Sequence, residues 1–357
     1  MNLRIASSLS VFLAVLMTTT ARAEVKVVVD PRIELMGILQ ELGGYFLSSQ
    51  VISPYRQDVL VSFCASAKDP AVLLLSTMSQ GSFNADVVPR AFLSLSPPPD
   101  LEPLGQIPKD VVTRAGGQVA FDQMVVTTRE FAIRNNFNAF FAANAATYSK
   151  IIEATHPEVE ALAKEIEVYL GTPLGDAAVV LSPLLHNGGF GVNAERIVPG
   201  APVYAVIGPS AVKNDLPVFG PPEHLHALVV HELLHTVINP ITERHRTEID
   251  RYKNLYAPVA TSMQPQGYSD WQITFTETLI RAIGIRLSEK RIGLAAAQAA
   301  SKKEIERGFR ELPRVVSALA TYENQRASYP RLEDYLPRLL KSLAAASARN
   351  DLNVHMH

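Results

Sequence analysis

The sequence predicts an α+β fold, predominantly helical, on three observations. Short strand-like runs at 177–181, 190–193 and 203–207 gather in one stretch, separated by turn-forming segments at 186–189 and 198–202. Helical spacing of apolar residues dominates before them, over about 118–170, and after them, over 270–290, 302–322 and a last helix beyond Pro330. The strands are thus clustered, whereas an α/β sheet would alternate strand and helix along the chain. With 47% hydrophobic residues in 357, the chain can bury a sizeable core, as one large domain or two.

The first element is an expected export signal over 1–23. Met1 to Arg4 supply a short positive start, 5–17 is apolar, and Ala21-Arg22-Ala23 has the small-x-small cleavage pattern. Cleavage after Ala23 predicts a mature chain that is exported, periplasmic or extracellular. The apolar run is shorter than the ~20 residues that span a bilayer, and no later run is longer, so no membrane span is expected in the mature chain.

From there, 24–170 reads as a mostly helical N-terminal region. A β-branched run at 25–29 is broken by Asp30-Pro31, and helical spacing over 33–42 stops at Gly43-Gly44. Asp69-Pro70 combines a capping side chain with a proline in the first turn and predicts a helix start. The proline-rich stretch 89–108 predicts an extended loop, either a lid or groove wall or a plain connector. Breaks are expected near Asn135-Asn136 and at His156-Pro157, and Phe131, Phe137, Phe140 and Phe141 are core candidates.

A net charge of −2 gives no support for a nucleic-acid partner, which would require a basic patch. Cys64 is the single cysteine, so no intramolecular disulfide exists, and its apolar neighbours predict a buried, inert thiol. The chain has neither a G-x-S-x-G elbow nor a phosphate-binding glycine loop, so those enzyme classes gain no support.

The most specific segment is LVVHELLHT, which places His231, Glu232 and His235 in the pattern H-E-x-x-H. Residues four apart share one helix face, with Cβ atoms roughly 5–6 Å apart, so both imidazoles can reach one metal ion. Glu232 can then take a proton from a water at that ion. Leu228, Val229, Val230, Leu233, Leu234, Val237 and Ile238 make the helix apolar nearly all round, which predicts burial. Two buried imidazoles and a carboxylate without partners would cost several kcal/mol, and a metal removes that cost. The competing reading is a surface helix carrying ordinary polar residues. Pro221-Pro222-Glu223 is the expected start of this helix and Asn239-Pro240 its expected end.

A catalytic zinc site takes three protein ligands and keeps an open position. The third ligand does not come from H-E-x-x-H-x-x-G-x-x-H, because Ile238 and Ile241 occupy the glycine and histidine positions. The best candidate is Glu277, an acid in the apolar helical stretch WQITFTETLIRA among Trp271, Ile273, Phe275, Leu279, Ile280 and Ile283. Arg281, four residues on, either makes a plain surface ion pair with it or orients it as a ligand. Rivals are Glu243, Glu248, Asp250 and His245 in a charged stretch. His224 and His226 at the helix entrance, and the isolated His186, His355 and His357, are weaker.

His231-Glu232-Leu233-Leu234-His235, followed 42 residues later by Glu277, resembles the gluzincin group of zinc metallopeptidases, including exported bacterial families known only as domains of unknown function. That resemblance implies a zincin-like metallopeptidase region over 171–357, with a small sheet packed beside the motif helix. It implies a zinc ion held by His231, His235 and Glu277, and Glu232 as the catalytic base. An edge strand, for which 190–193 and 203–207 are candidates, would line the cleft and pair with a peptide or protein substrate. Tyr268, His245 or Tyr256 could steady the oxyanion. The alternative from another class is a non-catalytic exported binding protein with a structural or vestigial metal site; a third is a hydrolase of non-peptide amides.

Overall fold

The computed structural model describes residues 25–193, 202–220 and 222–354. The expected export signal at 1–23, most of the 198–202 turn, His355 and His357 lie outside the described residues.

Strand β1 (Val25–Val28) leads into a helical run: α1 (Pro31–Leu42), α2 (Pro54–Phe63), α3 (Pro70–Gln80), α4 (Val87–Leu93), α5 (Lys109–Arg114), α6 (Gln118–Arg134), α7 (Phe137–Ala143) and α8 (Ala145–Leu170). One local device starts the first three helices. Asp30, Ser53 and Asp69 each accept a bond from a backbone N–H of the first turn, and each is followed by a proline whose missing N–H would have had no partner.

Strands β2 (Ala177–Leu181), β3 (Gly189–Asn193) and β4 (Val203–Ile207) join β1 in a sheet of order β1-β2-β4-β3. β1, β2 and β4 are parallel, with Val27 opposite Val179 and Val179 opposite Ala205, and β3 runs antiparallel to β4 with Gly191 opposite Ala205. All five residues of β2 are buried, as a strand covered on both faces requires. β3 is an edge strand. The hairpin β5 (Ala211–Lys213) and β6 (Leu216–Val218) was not legible in the sequence; Asn214 and Asp215 make its turn at φ 51° and 63°.

Helix α9 (Pro222–Arg244) carries the motif. After it come α10 (Arg246–Ile249), α11 (Ala260–Met263), α12 (Trp271–Arg291), α13 (Leu294–Glu306), α14 (Leu312–Asn324) and α15 (Leu332–Val354). α9 packs against β4 and α8 and against α12, so it lies between the sheet and the C-terminal helices. The fold is α+β, mostly helical, with a small mixed four-stranded sheet against α9. One connected apolar core runs from Val27 to Leu343. Among the described residues no single helix is long and apolar enough to cross a membrane.

Several local expectations are corrected. Pro157 lies inside α8 and Pro240 inside α9, and neither ends its helix. Ile151 and Thr155 before Pro157, and Val159 and Leu162 after it, are all buried, as are Val237, Ile238 and Ile241 around Pro240. Packing on both sides outweighs the ~3 kcal/mol that an interior proline costs. Pro89 sits in the first turn of α4, so the extended segment begins only after Leu93. The stretch 302–322 is two helices broken around Gly308, whose φ is 114°. Cys64 is exposed on a short 3₁₀ turn after α2, not buried.

Candidate metal centre

Apolar packing turns the motif inward. Val229, Val230, Leu233 and Leu234 are buried, which fixes the rotation of α9 and leaves His231, Glu232 and His235 half-buried on one side. The imidazole Nε2 atoms of His231 and His235 are 3.3 Å apart. Asp270 caps α12 by accepting from Ile273 N, and two turns later Glu277 arrives opposite the two rings. Its Oε1 is 3.4 Å from His235 Nε2 and its Oε2 is 3.7 Å from His231 Nε2.

These spacings can be tested against a metal. Donors around tetrahedral zinc, at bonds of about 2.0–2.2 Å, stand about 3.3–3.6 Å apart. The separation of the two Nε2 atoms and that of His235 Nε2 from Oε1 fall within that edge length, and the 3.7 Å from His231 Nε2 to the other carboxylate oxygen lies just beyond it. Protonation agrees. His235 donates from Nδ1 to the Asn239 side-chain oxygen at 3.1 Å, which leaves its Nε2 lone pair turned toward Glu277. A lone pair and a carboxylate tolerate such contact only with a cation or a proton between them. Burial, then the neighbouring His235, Arg281 and Arg307, holds the His231 pKa well below its ordinary value, so the neutral, ligating form is favoured. That form makes the His231–Glu277 contact a poor ion pair in the absence of a cation.

Glu232 completes a group with the two histidines, His231, Glu232 and His235, that could hold a metal ion, their ligand atoms all within 4.8 Å of one another. Two carboxylates therefore border the imidazole pair. Burial raises the Glu232 pKa to about 7, opposed by His235 and reinforced by Glu277. Its side chain lies against β3, where Gly191 leaves room for Oε2. A cavity of about 300 Å³ opens beside it, lined among others by Gly191, Val192, Glu232, His235, Thr242 and Glu277.

Arg281 anchors the far side. Its Nη2 donates to Glu277 Oε2 at 3.2 Å and to the Tyr268 hydroxyl at 2.9 Å, while Nη1 pairs with Glu304 at 3.1 Å. Its guanidinium also stacks over Phe309, 4.6 Å from the ring centre. Arg281 is thus no exposed i,i+4 partner but a buried brace on the candidate ligand.

The rival residues are engaged elsewhere. His245 Nδ1 contacts Glu248 at 2.5 Å, Glu243 pairs with Arg246, and Asp250 opens a 3₁₀ turn. His186 packs on Phe190, and His226 is buried on α9, its Nε2 without a hydrogen-bond partner among the described residues. His224's side chain lies outside the described residues. Of the hydroxyls considered for the oxyanion, Tyr256 donates to the Tyr268 carbonyl, and only Tyr268 is joined to the centre, through Arg281. Sequence reasoning missed Asn239 and Gly191. Asn239 could have been found from its i+4 spacing to His235; nothing local marks Gly191.

Fold and centre together define an α+β protein whose buried central helix presents a His-Glu-His group able to hold a metal ion. The chain belongs to the family described as a domain of unknown function, DUF4932, whose model matches residues 67–342 and so includes His231, Glu232, His235 and Glu277. No curated protein and no solved structure matches it.

Proposed function

We propose that this chain is an exported zinc-dependent hydrolase that cleaves peptide bonds, with His231, His235 and Glu277 as metal ligands and Glu232 as general base. The observation that carries the reading is the convergence of two Nε2 atoms and one carboxylate at 3.3, 3.4 and 3.7 Å, with a second carboxylate beside them. A purely structural site would leave Glu232 without a task.

Zinc bound to such donors supplies a Lewis acid and makes water acidic enough to deprotonate near neutral pH. Glu232 accepts the proton of the attacking water at a carboxylate oxygen and returns it to the leaving amine. Asn239 fixes the ring of His235, and Arg281 fixes Glu277 and the Tyr268 hydroxyl. Tyr268, whose hydroxyl is bonded to Arg281 beside Glu277, is the neutral donor we assign to the developing oxyanion. The free edge of β3 offers main-chain groups to an extended peptide or protein substrate. Export rests on the residue pattern of 1–23.

The test is metal analysis of the purified, folded protein together with the Glu232→Gln variant. One zinc per chain in both proteins, with peptide hydrolysis only in the unmutated one, is the expected result. Folded protein without zinc, or a fully active variant, overturns the proposal. Zinc without any hydrolysis would instead favour the non-catalytic binding protein.

A further inference from the structure

Gln272 lies in the first turn of α12 and is only 8% exposed. Its Nε2 donates to the Thr242 carbonyl at 2.8 Å, close to the end of α9, where carbonyls lack a partner within the helix. That bond fixes the orientation of the amide, because only its nitrogen can face a carbonyl. The remaining atom, Oε1, is buried and has no hydrogen-bond partner among the described residues. A buried acceptor left unpaired is costly, and a ligand that donates to it removes the cost.

Gln272 lines the same cavity as Glu232 and Glu277, and Asn239, Thr242 and Thr276 continue its wall. The hydroxyl protons there are spent internally. Thr276 donates to Thr242 Oγ1 or to the Gln272 carbonyl, both at 2.9 Å, and Thr242 donates to the Ile238 carbonyl at 3.0 Å. Asn239 Oδ1 is taken by His235 Nδ1, which leaves Asn239 Nδ2 as the wall's unused donor among the described residues. At the outer end Arg246 grips Glu243 with two bonds, Nε to Oε1 at 3.0 Å and Nη2 to Oε2 at 2.6 Å, so these charges cancel. The wall therefore offers an acceptor at Gln272, a donor at Asn239 and no unpaired charge between them.

We infer that this wall is a polar subsite for a side-chain carboxamide of the substrate, whose NH2 donates to Gln272 Oε1 and whose oxygen accepts from Asn239 Nδ2. The inference rests on the hydrolase reading of the same cleft, and it narrows the substrate class to peptides with glutamine beside the cleaved bond. Thr242 follows His235 by about two turns, roughly 10 Å along the axis, which suits a side chain of glutamine's length. A carboxylate has no proton for Gln272. An ammonium has no lone pair for Asn239 and would lose its water without gaining a counter-charge. Methionine has the length of glutamine but leaves both groups unpaired.

The experiment uses peptides that differ only in carrying glutamine, methionine, glutamate or lysine beside the scissile bond. The unmutated protein should prefer glutamine over each of the others by at least about tenfold in kcat/KM. In Gln272→Met the glutamine-to-methionine ratio should fall to within about threefold. Because that variant also releases the Thr242 carbonyl, Gln272→Glu is the second test: it keeps the size and turns the acceptor into an anion, so the favoured residue should change from glutamine to lysine. A ratio near one in the unmutated protein, a preference there for lysine or glutamate, or a profile unchanged in both variants overturns the subsite. With hydrolysis still dependent on Glu232, any of these leaves the hydrolase standing. A further readout needs no turnover: in calorimetry on Glu232→Gln, Ala-Ala-Gln-Ala-Ala should bind at least about tenfold tighter than Ala-Ala-Met-Ala-Ala. If the unmutated protein cleaves no peptide, the hydrolase reading fails, and this binding difference alone decides the subsite; equal affinities reject it.

Discussion

Glu232 of α9 and Gly191 of β3 are packed so closely that a β-carbon on residue 191 would stand 1.7 Å from Glu232 Oε2. The acid of the motif is thus seated against the edge strand, and only a residue without a side chain leaves it there. An alanine would force the carboxylate to swing away without touching the histidines.

The first prediction follows directly. Gly191→Ala should fold and keep its metal but lose hydrolysis by at least about 100-fold, the loss that a displacement of about 1 Å can cause at a reacting centre. Steady-state kinetics beside metal analysis checks it. Full activity would mean that Glu232 is not held where the chemistry needs it.

Asn239 holds His235 from behind, at 3.1 Å from Nδ1. Asn239→Ala should weaken zinc binding by about 10–100-fold, the usual effect of removing such a support. Chelator competition measures this. On the proposed reading zinc would bind only the folded state, so a chelator should also lower the melting temperature of the unmutated protein, and by less in Asn239→Ala at equal total zinc. Equal affinities in the two proteins would remove Asn239 from the site.

Far from this centre, Glu34 of α1 is fully buried. The Tyr55 hydroxyl donates to its Oε2 at 2.5 Å, and Tyr148 lies 2.9 Å beyond Tyr55. Burial raises its pKa from 4.5 to about 8, against the opposing hydrogen bond from Tyr55. The folded state therefore holds a proton that the unfolded state releases above pH 4.5. Stability from this group is complete below that pH and is lost as pH rises toward 8, by an amount on the order of 5 kcal/mol. Denaturant titrations across this range should show a steeper decline for the unmutated protein than for Glu34→Gln, which cannot titrate. Parallel curves would contradict the assignment.

Gly171 ends α8 with φ 67°, and a β-carbon there would lie 2.0 Å from the Pro330 carbonyl oxygen just ahead of α15. Gly171→Ala combines left-handed strain with that clash and should cost at least about 2 kcal/mol. The denaturation midpoint reports it. An unaffected midpoint would mean that α8 and the 330–332 turn are not in this contact.

Features that depend on neighbours in the chain were legible. Asp30-Pro31 and Asp69-Pro70 start helices because cap and proline act within one turn. Val203–Ile207 reads as a strand from its own β-branched residues. His231 and His235 share a face because helical spacing alone puts them there. Glu277 stood out as an acid among apolar residues, and its carboxylate lies 3.4 Å from His235. Features decided by distant partners were misread. Pro157 and Pro240 look like breaks in isolation, yet each is bridged by burial on both sides. Cys64 has apolar neighbours in sequence but sits on a turn that faces solvent.

By itself the chain's residue order determined where the Asp-Pro-capped helices begin, that 177–181, 190–193 and 203–207 are strands, and that two imidazoles and an acid lie together on one buried helix, since each follows from contacts within a few residues. Only the tertiary structure decided which carboxylate from elsewhere faces those rings and that β3 forms the edge beside Glu232. It also decided that residue 191 must be a glycine, because a β-carbon there would clash with Glu232. Those outcomes depend on how α9, α12, α13 and the sheet pack. Packing is settled by shape and burial summed over the whole core, which no local pattern encodes.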